Sequence, residues 1–373
     1  MYNSVRAATR NPRRLVPLQP SGWTRPLSTS RPTSEAASIY VSDLNDPWFN
    51  LAFEDWLFRK TDPEQKILYM YRNSPSVIIG RNQNPWKEIN LARLRELGIP
   101  FVRRKSGGGT VYHDLGNTNY CVFVPRTEFD RKTNAELVSR GLQKLELPAY
   151  VNDRNDICVD GFKMRSAFKL VNKRAYHHGT MLIDAKLGDL RGVLGSQRDS
   201  MVTKGVASVP SPVKNLREFS KADGSFQVDH ERFVEVVAND FAAKYGLSRD
   251  IKRVDESEAE GNDYVREVVQ ELKSWDWQYG QTPEFTHDIA GTLSFGFLTI
   301  TIQSRHGLIT SAELTRPPRS LEAWRAATEV CKLMVGDRYE SLERTREAIE
   351  SRAGEVKERE RMGEIVQWLQ REM

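Results

Sequence analysis

The chain has 373 residues, enough for two or three domains and at least one sizeable core. Hydrophobic residues make up 39% and charged residues 28%, the balance of a soluble globular protein, and no run of 18 apolar residues is present to cross a membrane. A formal charge of +5 suits nucleic acid or an acidic partner protein without choosing between them, and Cys121, Cys158 and Cys331 are too far apart to suggest a disulfide framework or a zinc site.

The first 34 residues differ in kind. They hold six arginines, no lysine and no acid, with Ser, Thr and Pro filling much of the remainder. That composition predicts a mitochondrial presequence, with the mature chain starting between Ser30 and Glu35. A disordered basic tail is the alternative, and a secretory signal would need an apolar region that is missing.

From residue 46, DPWFNLAFEDWLFRK carries apolar residues that fit one helix lying on a core. Residues 66–88 read as strand, turn, strand and a turn into a helix, with Leu68, Met70 and Val77–Ile79 in strand interiors. Residues 89–100 predict a short helix closed by Gly98, after which Phe101 opens a strand that runs into glycines. Residues 117–125 return as a strand, NAELVSRGLQKL follows as a helix, and 155–184 predict successive short strands. Residues 228–246 form an amphipathic helix, and the charged stretch 249–264 reads as a linker. Beyond it, 291–315 alternate in polarity about a hairpin turn at Arg305–Gly307, and two or three helices occupy 320–373. The fold class is α+β with a mixed, largely antiparallel sheet, divided into a first domain at 35–248 and a smaller one at 265–373.

Three consecutive glycines sit in RRKSGGGTVYHDLGN, residues 103–117. The segment has neither the GxGxxG spacing of a dinucleotide site nor a GxxxxGK[ST] phosphate loop. Backbone N–H groups without Cβ atoms can still approach an anion closely, with Arg103, Arg104 and Lys105 beside them. A sharp turn with solvated basic neighbours is an equal alternative. Further on, Lys163 follows a turn at Asp160–Gly161 and could clamp a phosphate or steady charge on a carboxyl carbon. A solvated surface lysine is the plainer alternative. His177 and His178 alternate along a strand, so at most one ring faces any one pocket.

The run Arg103–Asn117 resembles, nearly residue for residue, the RRxSGGGxVxHDxGN signature of the lipoate-protein ligase A family, which includes the mitochondrial lipoyltransferases. DPWFNLAFEDWLF looks like that family's first helix, SVIIGRNQNPWKEIN its next motif, and NDICVDGFK with AYHHGTMLI the region of its catalytic lysine. TKGVASVPSPVKNL and WDWQYGQTPEF look like its following loop and the linker into a C-terminal accessory α/β domain. The resemblance covers most of the chain and implies a biotin/lipoyl-ligase-like catalytic domain. It implies Lys163 as the catalytic lysine, gripping an acyl-adenylate. It places Arg104, Ser106, Gly107, Gly108, Gly109, Val111, His113 and Asp114 on the adenylate-binding loop. Arg72 and Arg81, with Gly80, Asn82 and Gln83, match a wall of the lipoyl and adenylate pocket. Asp156 matches an acid that orients Lys163 or the adenine side, and His178 falls in the matched site region.

The implied reaction joins lipoate to ATP, giving lipoyl-AMP, and passes the lipoyl group to a lysine of a carrier. An alternative is an acyltransferase that takes lipoyl or octanoyl from a preformed adenylate or another carrier protein. The implied carriers are lipoyl domains of 2-oxoacid dehydrogenase E2 subunits and the glycine-cleavage carrier protein, in the mitochondrial matrix. Mg2+ would arrive with the nucleotide phosphates, without a dedicated protein cage. Binding without catalysis is a third reading, and nucleic-acid binding has only the basic charge behind it.

One departure stands out. Family members read KxSGSAYK after the lysine, whereas residues 163–169 read KMRSAFK, one residue shorter and without the internal glycine. A strand shortened by one residue reverses its side-chain facing unless a bulge or loop absorbs the change. A genuine loop variant that makes the adenylate poorly and an error in the gene reading both stay open.

Overall fold

The structure, a computed structural model, describes residues 37–373 other than 164, 172, 187, 189–191, 196–197, 210–212, 220–227, 249 and 354; for 163 and 165–171 it describes the backbone. Residues 1–34, expected as a presequence, lie outside the described residues. In chain order the first elements are β1 (Ala37–Ser42), α1 (Pro47–Lys60), β2 (Lys66–Tyr71), β3 (Ser76–Ile79), α2 (Pro85–Glu88), α3 (Leu91–Leu97), β4 (Phe101–Arg103), β5 (Val111–His113) and β6 (Asn117–Pro125). They are followed by α4 (Arg131–Lys144), β7 (Ala149–Val151), β8 (Ile157–Val159), β9 (Phe162–Lys163), β10 (Arg165–Val171), β11 (Arg174–Leu182), β12 (Met201–Thr203), α5 (His230–Tyr245), β13 (Ile251–Val254), α6 (Glu256–Gly261) and α7 (Asp263–Lys273). The last are α8 (Trp275–Gln278), β14 (Phe285–Leu293), β15 (Gly296–Arg305), β16 (Leu308–Arg316), α9 (Leu321–Leu333), α10 (Glu343–Glu350) and α11 (Val356–Glu372).

Local chemistry starts and stops these elements. Asp46 caps α1, its Oδ1 accepting from the N–H groups of Trp48 (2.7 Å) and Phe49 (3.2 Å), with Pro47 in the first turn and Arg59 and Lys60 in the last. Gly98 ends α3 in the left-handed conformation, φ 64°.

The main sheet runs β10-β11-β6-β2-β1-β13, with β1 parallel to both its neighbours and the other pairs antiparallel. Every residue of β6 is buried because both faces are covered. Tyr120, Val122 and Val124 face a core with α4 and α5, whereas Cys121 and Phe123 face one with α1 and α7. This is the expected mixed, largely antiparallel architecture with flanking helices.

Two boundaries differ from the sequence reading. The stretch 249–264, expected as a linker, contributes β13 to the main sheet, parallel to β1, and then α6. Its exposed Ile251, Lys252 and Arg253 are those of an edge strand, which composition alone cannot tell from a linker. Helix α7, expected to open the second domain at 265, buries Val265, Val268 and Leu272 against the α1 core. The C-terminal sheet, β12-β14-β15-β16, borrows β12 from the first part of the chain. Its core is continuous with the small β4-β3-β5 sheet, joining Val77, Ile79 and Trp86 to Leu298, Ile300 and Trp368.

Candidate functional site

The glycine segment is a loop between two strands that flank one partner. Strand β3 pairs parallel with β4 and antiparallel with β5, so residues 104–110 fold over the end of β3, where Gly80 sits. Contact there is close: a Cβ on Gly80 would lie 2.0 Å from the Gly108 carbonyl oxygen, and Gly108 itself has φ 93°. Gly107 and Gly108 are exposed.

The basic residues beside the loop are committed to the protein. The Arg104 side chain turns back into the loop, donating to the carbonyls of Gly107 (2.6 Å), Gly109 (2.8 Å) and Ile78 (3.2 Å). It is 5% exposed, and burial lowers its pKa to about 10, which leaves it charged at neutral pH. Buried Arg103 donates to the carbonyls of Arg81 (2.8 Å), Gln83 (2.7 Å) and Gln278 (2.7 Å) and to Thr282 Oγ1 (3.0 Å). Lys105 pairs with Glu271 and lies 3.9 Å from Asp55 and 4.8 Å above the Trp277 ring. Thus the charge next to the glycines shapes the loop and fastens it to α1, α7 and α8.

Gln83 braces the loop from beneath. Its Oε1 accepts from Gly80 N–H (2.8 Å) and Thr110 Oγ1 (3.0 Å), and its Nε2 donates to Glu88 Oε2 (3.1 Å) and Ser208 Oγ (3.0 Å). Ser208 Oγ in turn accepts from Thr110 N–H at 3.0 Å. The loop matched by TKGVASVPSPVKNL therefore packs on the glycine loop at Ser208, while its residues 210–212 lie outside the described residues.

A buried polar cluster adjoins Ser106. His178 Nε2 lies 3.5 Å from Ser106 Oγ, and its Nδ1 lies 3.7 Å from Glu54 Oε1 on α1. Tyr71 donates its hydroxyl to Glu54 Oε2 at 3.1 Å. Beside it, His113 Nδ1 accepts from the Asn73 amide (3.0 Å), so the ring proton sits on Nε2, 3.3 Å from Thr180 Oγ1. Burial, with Arg104 and His178 nearby, lowers the pKa of His113 to about 3, so the ring is neutral.

Other expected residues have separate places. Arg72 extends from the end of β2 to Glu231 on α5 (3.8 Å) and lines a cavity of about 290 Å3 between α5 and β1 and β13. Arg81 is exposed, 5.6 Å over the Trp277 ring. The Asp114 carboxylate accepts from Gly116 N–H (2.8 Å) and Lys186 N–H (2.7 Å) and so ties down a turn. Val111 packs on the α1 core. Asp156 is buried just before β8, whose Cys158 pairs with Lys163 of β9, so the acid adjoins the three-stranded sheet that carries Lys163. Sequence reasoning missed Glu54, Tyr71, Asn73 and Thr180. Glu54 sits beside Asp55, equally buried in the same helix, so no local pattern singled it out.

Residues 46–242 match the model of the lipoyl protein ligase A/B catalytic domain. The lipoate-protein ligase A of Psychrobacter cryohalolentis is 34% identical over 277 residues, 73% of this chain and 80% of that protein. The crystal structure of P. falciparum LipL1 in complex with lipoate superposes with a TM-score of 0.57 at 25% identity, covering 90% of this chain and 99% of that one. A bipartite lipoate protein ligase from Thermoplasma acidophilum, solved with its E2 lipoyl domain, shares the fold with a TM-score of 0.52 at 24% identity, over 65% of this chain and 96% of that one. The chain belongs to the lipoate-protein ligase A family.

Proposed function

We propose that the protein activates lipoate with ATP and transfers the lipoyl group to a lysine of a lipoyl-carrier domain in the mitochondrial matrix. The observation that carries this reading is the Ser106–Gly109 loop, braced from behind by Arg104 and Gln83 with its glycine backbone facing outward. In the first step a lipoate carboxylate oxygen attacks the α-phosphorus of ATP, and pyrophosphate leaves. In the second a carrier amine attacks the acyl carbon, and AMP leaves with the electron pair of the C–O bond. Preorganised N–H donors aimed at phosphate oxygens need no reorganisation as charge shifts. Lys163 supplies the cation for the carboxyl and phosphoryl oxygens.

Among the described residues no three His, Cys, Asp or Glu side chains converge as a metal cage. Mg2+ then comes with the nucleotide phosphates, and no step here is assigned to it. The carriers we propose are E2 lipoyl domains and the glycine-cleavage carrier protein. Transfer from a preformed donor is the second reading, favoured by the shortened segment after Lys163.

Purified protein is incubated with apo-carrier and either lipoate plus ATP, lipoyl-AMP or a lipoylated carrier, with mass spectrometry of the carrier as readout. Modification with lipoate plus ATP is expected. Modification from preformed donors alone replaces the ligase reading by the transferase one, and none from any donor refutes both. Lys163→Ala is expected to reduce modification to background with an unchanged thermal melt, and near-normal transfer by it would remove the assigned role.

A further inference from the structure

We infer that His178 is the proton acceptor of the amide-forming step and that Glu54 is its positioning residue. The inference rests on the lipoyl-transfer reading above. Strand β11 turns His178 toward α1, where Glu54 is 5% exposed. The groups form a line: Glu54 Oε1, 3.7 Å, His178 Nδ1; His178 Nε2, 3.5 Å, Ser106 Oγ. The Tyr71 hydroxyl fixes the other Glu54 oxygen at 3.1 Å. Both longer separations are of the kind that close to working hydrogen bonds in a substrate complex.

A carboxylate in a helix core is costly unless it serves a partner. Here it faces the inner nitrogen of a ring whose outer nitrogen faces the glycine loop. That is the order of carboxylate, imidazole and reacting site by which a histidine base is oriented and its charged form stabilised. The chemistry needs such a base. A carrier lysine reaches the site as an ammonium and must lose one proton to expose its lone pair. Its nitrogen loses a second proton after attacking the acyl carbon. The first proton passes to His178 Nε2, the imidazolium is balanced by Glu54, and the ring returns the proton to water through its partly exposed edge. It then takes the second, so each amide formed releases two protons and one AMP.

The other titratable groups around His178 are Asp55 on α1, Tyr71 on β2, Arg104 after β4, His113 on β5, Cys121 opposite it on β6, and Tyr176 and His177 on β11. Burial keeps the tyrosines protonated and His113 and His177 neutral at neutral pH. Beside Glu54 and Arg104, Asp55 is held by Arg59 (2.8 Å) and Lys105 (3.9 Å).

The test measures carrier acylation from supplied lipoyl-AMP across a pH series. The wild type should show an acid limb where the base is protonated. His178→Ala should lose that limb and about a hundredfold in kcat, with added imidazole restoring part of the rate. Glu54→Gln should lower kcat by about tenfold, leave the KM for carrier nearly unchanged, and move the limb to lower pH, because the imidazolium has lost its counter-charge. A limb unchanged in both variants, or a Glu54→Gln effect on KM alone, overturns the inference. So does recovery of an acyl group on Ser106, which would make that serine a nucleophile. If His178→Ala misfolds, the Glu54→Gln profile decides alone. A wild type that cannot acylate the carrier from lipoyl-AMP refutes the functional reading itself. A wild type that transfers while its variants keep its pH profile refutes only this inference.

Discussion

At Gly80 the glycine loop comes within 2.0 Å of where a methyl group would stand, and the obstacle is the Gly108 carbonyl, which cannot rotate away as a side-chain tip could. Gly80→Ala is therefore expected to cost about 1–3 kcal/mol of stability. By displacing the loop it should also lower pyrophosphate release by roughly a hundredfold. Gly107→Ala is the contrast: among the described residues no atom lies within 4 Å of its Cβ, so urea denaturation should match wild type. A Gly80→Ala protein with native stability and activity would show that the loop yields freely. At this scale the sequence shows the glycine segment but not what its arginines hold. Arginines beside glycines suggest a bound anion, yet Arg103 and Arg104 bind carbonyls, some from residues more than 170 positions away. Hydrogen bonds across such separations leave no local pattern. Glu54 was hidden for the same reason, since its partners Tyr71 and His178 come from other strands.

Among the elements, periodicity worked where one face is buried. Strand β15, buried on alternate residues, and the hairpin turn at His306 and Gly307, both at positive φ, follow from alternation and turn chemistry. It failed at β13, whose exposed edge carries no apolar alternation. The shortened segment after Lys163 lies at a junction. Strand β9 belongs to the β7-β8-β9 sheet, β10 begins the main sheet at Arg165, and Met164 between them is outside the described residues. The β10–β11 ladder is continuous from Arg165–Thr180 to Val171–Arg174, so the missing residue does not interrupt it. Its effect should then concentrate where β9 hands over to β10, beside the lysine. Replacing Arg165 by Ser-Gly is expected to raise pyrophosphate release from lipoate plus ATP by tenfold or more, since small misplacements cost roughly that much or more. Acylation from lipoyl-AMP should change little. Equal activation by the native and restored chains would make the shortening a harmless variant.

For the whole molecule, the C-terminal part is a structural partner of the site. Leu298, Ile300 and Ile302 are buried in the core that also holds Val77, Ile79 and Trp86. Each such side chain is worth about 1.5–3 kcal/mol of burial. A chain ending at residue 273 should therefore aggregate or lose its near-ultraviolet dichroism, and a soluble, cooperatively melting fragment would contradict the shared core. Burial also sets the response to acid. It lowers the pKa of His113 to about 3 and those of His177 and His287 to about 4, against an ordinary value near 6.5. The unfolded chain takes up these protons as pH falls through about 6.5, whereas the folded chain resists until about pH 4. Stability from these groups is thus complete above about pH 6.5 and is lost as pH falls toward 4 and below. His113 and His177, the most buried, each contribute up to about 1.4 kcal/mol per pH unit across that window. Urea unfolding free energies measured at several pH values should fall with that slope. His177→Phe removes one proton from the balance, and among the described residues His177 Nδ1 has no hydrogen-bond partner to lose. Its stability should consequently depend less on pH by about one proton while the value at neutral pH stays close to wild type. An unaltered slope would mean that His177 is protonated equally in the folded and unfolded chains.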